Sequence, residues 1–167
     1  MRSRWLVTVV ALALTGAVTS CDDDSISGLD ETFEDEATWE ATLGPEGVTT
    51  SATGRAWFVD RGNTIDFLIE YNGLTSPTTN AHIHRETTQG VMVQLPFVRQ
   101  ATGGTVVGTI DMTRLNTAGT AVDVAPLENG DQSAADFRAA LNSGATYVNI
   151  HSQTFTQGEI RGTISPR

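Results

Sequence analysis

Three histidines are the whole imidazole complement of this 167-residue chain, and two of them are one residue apart in Ala81-His82-Ile83-His84. On a strand, alternate side chains share a face. His82 and His84 then stand side by side, Cα atoms about 7 Å apart, while Ala81 and Ile83 turn the other way. The third, His151, ends Tyr147-Val148-Asn149-Ile150-His151. There the same alternation puts Tyr147, Asn149 and His151 on one face and Val148 with Ile150 on the other. In Gly158-Glu159-Ile160-Arg161-Gly162, Ile160 turns inward and Glu159 and Arg161 outward. A hairpin joining the last two segments would gather Asn149, His151, Glu159 and Arg161 on one polar face.

Two readings of these residues stand side by side. Same-face imidazoles on one strand and a third on another suit zinc or copper, with His82, His84 and His151 as ligands and Glu159 beside them. Their nitrogens would have to converge to about 2–2.3 Å from a common point. The other reading has no cofactor: the histidines and Asn149 satisfy one another, the backbone and water. Glu159 and Arg161 would then form a surface ion pair worth about 0–1 kcal/mol. Arg161 filling the space between the rings would favour this second reading.

Composition removes several functions. The cationic residues are all Arg, ten of them against twenty Asp and Glu, for a formal charge of −10. That balance leaves no basic surface for nucleic acid, and a phosphate-binding loop has no Lys to complete it. One Cys permits neither an intrachain disulfide nor a Cys-based zinc module. A two-metal centre of the copper/zinc superoxide dismutase kind needs more histidines than three, and a disulfide besides. No Ser sits in a G-x-S-x-G setting. The chain is read as a non-enzyme.

The elements that must carry the polar face read as short strands. From Ala37 onward, apolar and polar residues alternate in brief runs separated by Gly, Pro, Asn and Thr. Strands are expected over Ala37–Leu43, Ala52–Val59, Thr64–Tyr71, Ala81–His84, Val91–Pro96, Thr105–Met112, Thr146–His151 and Glu159–Ile164. Asp66 and Glu70 alternate with Ile65, Phe67 and Ile69 as the solvated side of one strand, and Trp39 and Trp57 are read as packing aromatics. One helix interrupts the pattern. Ser133-Ala134-Ala135-Asp136 has the form of a capping box, Phe137 and Leu141 follow at i, i+4, and Gly144 can end the helix. The expected fold is an all-β sandwich or barrel, immunoglobulin-like or Greek-key, of about eight strands with one short helix.

The N-terminus reads as an address. Arg2 and Arg4 precede an apolar run of roughly a dozen residues, too short for a spanning helix, which needs about 20. The run ends in Val18-Thr19-Ser20-Cys21, which resembles the lipobox of bacterial lipoprotein signal peptides. The resemblance implies removal of residues 1–20, lipidation of Cys21, and a membrane-tethered domain in the cell envelope facing the periplasm or the exterior. Two or more acyl chains hold such an anchor stably. Cleavage would remove Arg2 and Arg4 and take the charge from −10 to −12. Ten of the twenty acids lie between Asp22 and Glu46, so residues 21–34 are read as a flexible acidic spacer and 35–167 as the folded domain.

Several segments, in order, resemble the CHRD domain, a module named from chordin and found in bacterial secreted and surface proteins. They are Ala81-His82-Ile83-His84, Tyr147–His151 and Gly158–Gly162, supported by Trp39–Leu43, Ala52–Ala56 and Leu68–Leu74, a span of roughly Phe33 to Pro166. The loop Arg85–Gly90 is shorter than is usual in that family, and the turn Phe155–Gly158 lacks the usual Pro. The resemblance implies an immunoglobulin-like β-barrel or sandwich and a binding role, with an envelope or extracellular protein or a polysaccharide as partner.

Overall fold

The computed structural model describes residues 24–45, 47–96, 101–115, 124–127 and 133–167. Residues 1–20 and Cys21 lie outside that set. Among the described residues, nine strands run in the order β1 (Trp39–Pro45), β2 (Thr53–Asp60), β3 (Thr64–Asn72), β4 (Thr78–Arg85), β5 (Val91–Gln94), β6 (Gly104–Leu115), β7 (Val124–Leu127), β8 (Thr146–Ser152) and β9 (Ile160–Pro166). They form a closed barrel in the spatial order β1-β2-β3-β6-β7-β5-β4-β8-β9. Every pairing is antiparallel except β6 with β7. Closure falls between β1 and β9, where Gly44 faces Arg161 and Glu40 faces Ser165. A Cβ on Gly162 would collide with the Thr42 carbonyl, so β9 can lie this close to β1 only with glycine there.

Period-2 patterning fills the barrel. Ala56 and Phe58 of β2, Ile65, Phe67 and Ile69 of β3, Ile83 of β4, Val148 and Ile150 of β8 and Ile160 and Ile164 of β9 share one core with Trp39 and Leu43. The all-β expectation holds, and the eight expected strands all form within a few residues of their read boundaries. The ninth, β7, was not read from the sequence. Its four residues include Pro126, and its partner β6 lies parallel to it, so nothing local announces it.

The expected helix is the second of two among the described residues. The first, α1, covers Asp24–Glu36, and the second, α2, covers Ala134–Asn142. Ser133 caps α2 in a reciprocal capping box with Asp136, and Phe137 and Leu141 are buried. Gly144 takes φ +66° just past the helix. Strands β6 and β9 are not neighbours, yet α2 touches both, so it lies across an open end of the barrel and lowers Phe137 into the core.

α1 is a correction, because the acidic stretch was read as a flexible spacer. In the structure it is helical and lies against β2 and β3. Glu34 reaches Arg55, and Glu36 reaches Arg61. Strand alternation turns Trp57, Val59 and Leu68 out of the barrel: all three are buried, yet none belongs to the barrel core. These outward apolar side chains lie on the two strands that α1 covers, a seat that charge counting overlooks.

Candidate functional site

The outer surface of β4, β8 and β9 carries the polar residues in register. His82 stands opposite Asn149, which stands opposite Arg161; His84 stands opposite Tyr147, and Asn80 opposite His151. Strand alternation thus assembles the group as the sequence implies, but the face is not half-exposed. Two loops fold over it, residues 86–90 and 153–158, leaving His82, His84 and His151 only 8–9 % exposed. Gly158, at φ +124°, lets the second loop lie flat, since a Cβ there would run into the Asn149 amide.

The rings are packed as a cluster. His82 meets His84 edge-on with centroids 5.2 Å apart and His151 edge-on at 4.9 Å. Tyr147 stacks on His84 at 5.0 Å, and the Arg161 guanidinium lies 3.9 Å from the Tyr147 ring centroid. Arg161 therefore does not occupy the centre of the cluster. One ligand atom from each histidine lies within 4.8 Å of the other two, and His82 Nδ1 and His151 Nε2 are only 3.1 Å apart.

Hydrogen bonding decides which nitrogens are free. His84 Nδ1 donates to the Gln89 carbonyl at 2.9 Å, and His151 Nδ1 donates to the Thr156 carbonyl at 2.9 Å. A carbonyl only accepts, so both protons are on Nδ1 and both Nε2 atoms present lone pairs inward. His84 Nε2 is buried without a hydrogen-bond partner among the described residues. His82 Nε2 has an acceptor, Gln94 Oε1, at 2.8 Å and a donor, Asn80 Nδ2, at 2.7 Å. With its proton on Nε2, His82 donates to Gln94 and Nδ1 becomes a third inward lone pair. With the proton on Nδ1, His82 donates to His151 instead. The first tautomer makes three convergent lone pairs whose other ring nitrogens are held by oxygen acceptors, the arrangement found around metal-bound imidazoles.

The environment disfavours the charged form of His82 and of His84. Burial first, then His151 and His84, bring the His82 pKa down to about 4 against a hydrogen bond with Gln94 that raises it. Burial also lowers His84, helped by His151 and by the Arg161 cation and opposed by the Gln89 bond. Neutral imidazole is the form that binds metal.

Glu159 is elsewhere. Its Oε1 accepts from Thr50 Oγ1 at 2.7 Å, Thr75 N at 2.7 Å and Thr75 Oγ1 at 2.8 Å, and it is not among the three residues whose ligand atoms converge. Burial raises its pKa, but hydrogen bonds from Ser152, Thr50 and Thr75 hold it below the ordinary value. The expected Glu159–Arg161 pair is likewise absent: Arg161 binds Glu86 at 2.7 Å. Glu159 precedes β9, and its side chain ties the barrel-end segments around Thr50 and Thr75 together rather than joining the outer face.

A family model for the CHRD domain matches residues 30–164. The chain belongs to the CHRD family. No curated protein and no solved structure matches it. The match begins at Asp30, inside α1, so this CHRD domain takes in part of the acidic segment and not the barrel alone. Sequence reading missed four groups of the site: Asn80, Gln94 and the carbonyls of Gln89 and Thr156. Asn80 sits two residues before His82 and shares its face, a signal that was there to use. Gln94 and the two carbonyls arrive from another strand and from loops, with no local pattern to mark them. The loops Arg85–Gly90 and Phe155–Gly158 supply those carbonyls.

Proposed function

We propose that this CHRD domain is a non-catalytic binding module, tethered to a bacterial membrane through lipidated Cys21 and exposed in the cell envelope, and that it binds a transition-metal ion, zinc or copper, through His82, His84 and His151. The observation that carries the metal reading is the pinning of His84 and His151 by backbone carbonyls, which leaves Nε2 of each ring as its lone pair, in a cluster where one ligand atom from each of the three rings lies within 4.8 Å of the others. Loops closed over the three rings suit holding an ion more than turning over a substrate. The reading of the N-terminus as an anchor rests on Val18-Thr19-Ser20-Cys21 and the apolar run before it. No helix among the described residues is long and apolar enough to cross a membrane.

Calorimetric titration of the purified full chain with zinc and with copper tests the metal site. One equivalent should bind, and His151→Ala should abolish it; an absence of binding at micromolar protein would return the histidines to a structural role. For the anchor, Cys21→Ser should move the protein from the membrane to the soluble fraction of a bacterial host. Unchanged membrane association in that variant would refute lipidation.

A further inference from the structure

The donor set also bears on which ion the site takes, an inference that rests on the metal reading above. We infer that the three-His site selects copper(I) over zinc(II). Its three donors are neutral imidazoles, and no Asp, Glu or Cys of the described residues joins them. The two acids nearest in the chain are engaged elsewhere, Glu86 with Arg161 and Glu159 with Thr50 and Thr75. The Arg161 guanidinium lies over Tyr147, next to His84, and its charge is paired with Glu86.

A dication would therefore be buried with no counter-charge in its ligand shell. The cost of burying an ion rises with the square of its charge, so a monocation meets about one quarter of that penalty in Born terms. Coordination number points the same way. Structural zinc is four-coordinate. Copper(I), a closed-shell ion like zinc(II), is satisfied by three donors, and three convergent nitrogens are what this face presents. The stack of Arg161 on Tyr147 and Tyr147 on His84 packs the His84 ring in place, and Glu86, the acid at this stack, is bound to Arg161.

The test uses the full chain carrying Cys21→Ser, which removes its one thiol. The metal-free protein is titrated anaerobically with copper(I), with silver(I) as a redox-inert monovalent probe, and with zinc(II), each in competition with a chromophoric chelator. Copper(I) and silver(I) should each bind at one equivalent, copper(I) at least about 100-fold more tightly than zinc(II). His84→Gln and His151→Gln, checked for folding by tryptophan fluorescence, should each lose that binding. Zinc(II) binding as tightly as copper(I) or more so, with hydroxide or another anion as fourth ligand, would overturn the selectivity and leave the metal site standing. No binding by any of the three ions would overturn the metal site as well. Binding retained in both folded variants would place the ion elsewhere and overturn both.

Discussion

Acidification should destabilise the metal-free protein in a pH window where the lowered pKa values of His82 and His84 act. His82 has a folded pKa of about 4 against an ordinary value of 6.5. Below 6.5 the unfolded chain binds a proton at this ring, and the folded chain declines it until about 4. The unfolded state thus holds more protons, and stability must fall as pH falls. The gap would be worth about 3 kcal/mol at most, and about 2 kcal/mol once screening by the remaining solvent is allowed for. His84 is shifted in the same direction and adds to the slope.

The carboxylates separate from this cleanly. Asp60, Asp136 and Glu159 are lowered from 3.8, 3.8 and 4.5, so their stabilisation is lost only at lower pH. Glu70 is raised from 4.5 by burial and by Asp30, and its effect has the opposite sign nearer its own range. The interval from about pH 5.5 to 6.5 therefore reports His82 and His84, with a limiting slope of about 1.4 kcal/mol per pH unit for each. Urea unfolding in chelator, followed by the fluorescence of Trp39 and Trp57, gives the stability at each pH. His82→Gln should flatten the profile by one proton's share. A stability that stays level or climbs on going from pH 7 to 5.5 would refute the neutral, buried cluster and with it the tautomer reasoning.

Other perturbations follow from the packing. Ile150→Ala, which empties a 2 % exposed position in the barrel core, should cost about 2–5 kcal/mol in equilibrium unfolding; a change within about 0.5 kcal/mol is surface behaviour and would reverse the facing of β8. Gly158→Ala strains a positive φ and displaces Asn149 from the Gln157 carbonyl, so a loss of about 1–3 kcal/mol is expected, measured by the same unfolding. Ser133→Ala removes the side-chain half of the α2 capping box, the acceptor for Asp136 N, and leaves the bond from the residue-133 backbone N–H to Asp136; it should cost about 1 kcal/mol, read as a lower urea midpoint with an unchanged slope.

Local patterning made much of the architecture legible. The alternation in Ala81–His84 and Tyr147–His151 correctly assigns Ala81, Ile83, Val148 and Ile150 to the core and the three histidines to the opposite face. Ser133, Asp136, Phe137, Leu141 and Gly144 specify a helix and its ends, because capping and i, i+4 contacts are interactions between near neighbours in the chain. Other elements carry no such signal. α1 depends on Trp57 and Leu68 pointing out of a barrel whose existence the helix cannot know, and its own sequence shows mostly acid. β7 depends on β6 to pair with.

The sequence by itself determined that three imidazoles share one face, since side-chain alternation is a property of a single strand and needs no partner. Their number, the lone Cys and the absence of Lys also bounded the chemistry before any folding. Only the tertiary structure decided that the face is closed over by two loops, that Gln89 and Thr156 carbonyls fix the protons of His84 and His151, and that Glu159 belongs to Thr50 and Thr75 rather than to the histidines. Those are contacts between backbone oxygens, hydroxyls and rings brought together by barrel closure. A backbone carbonyl is the same group at every residue, so no sequence pattern marks the one that will meet a histidine.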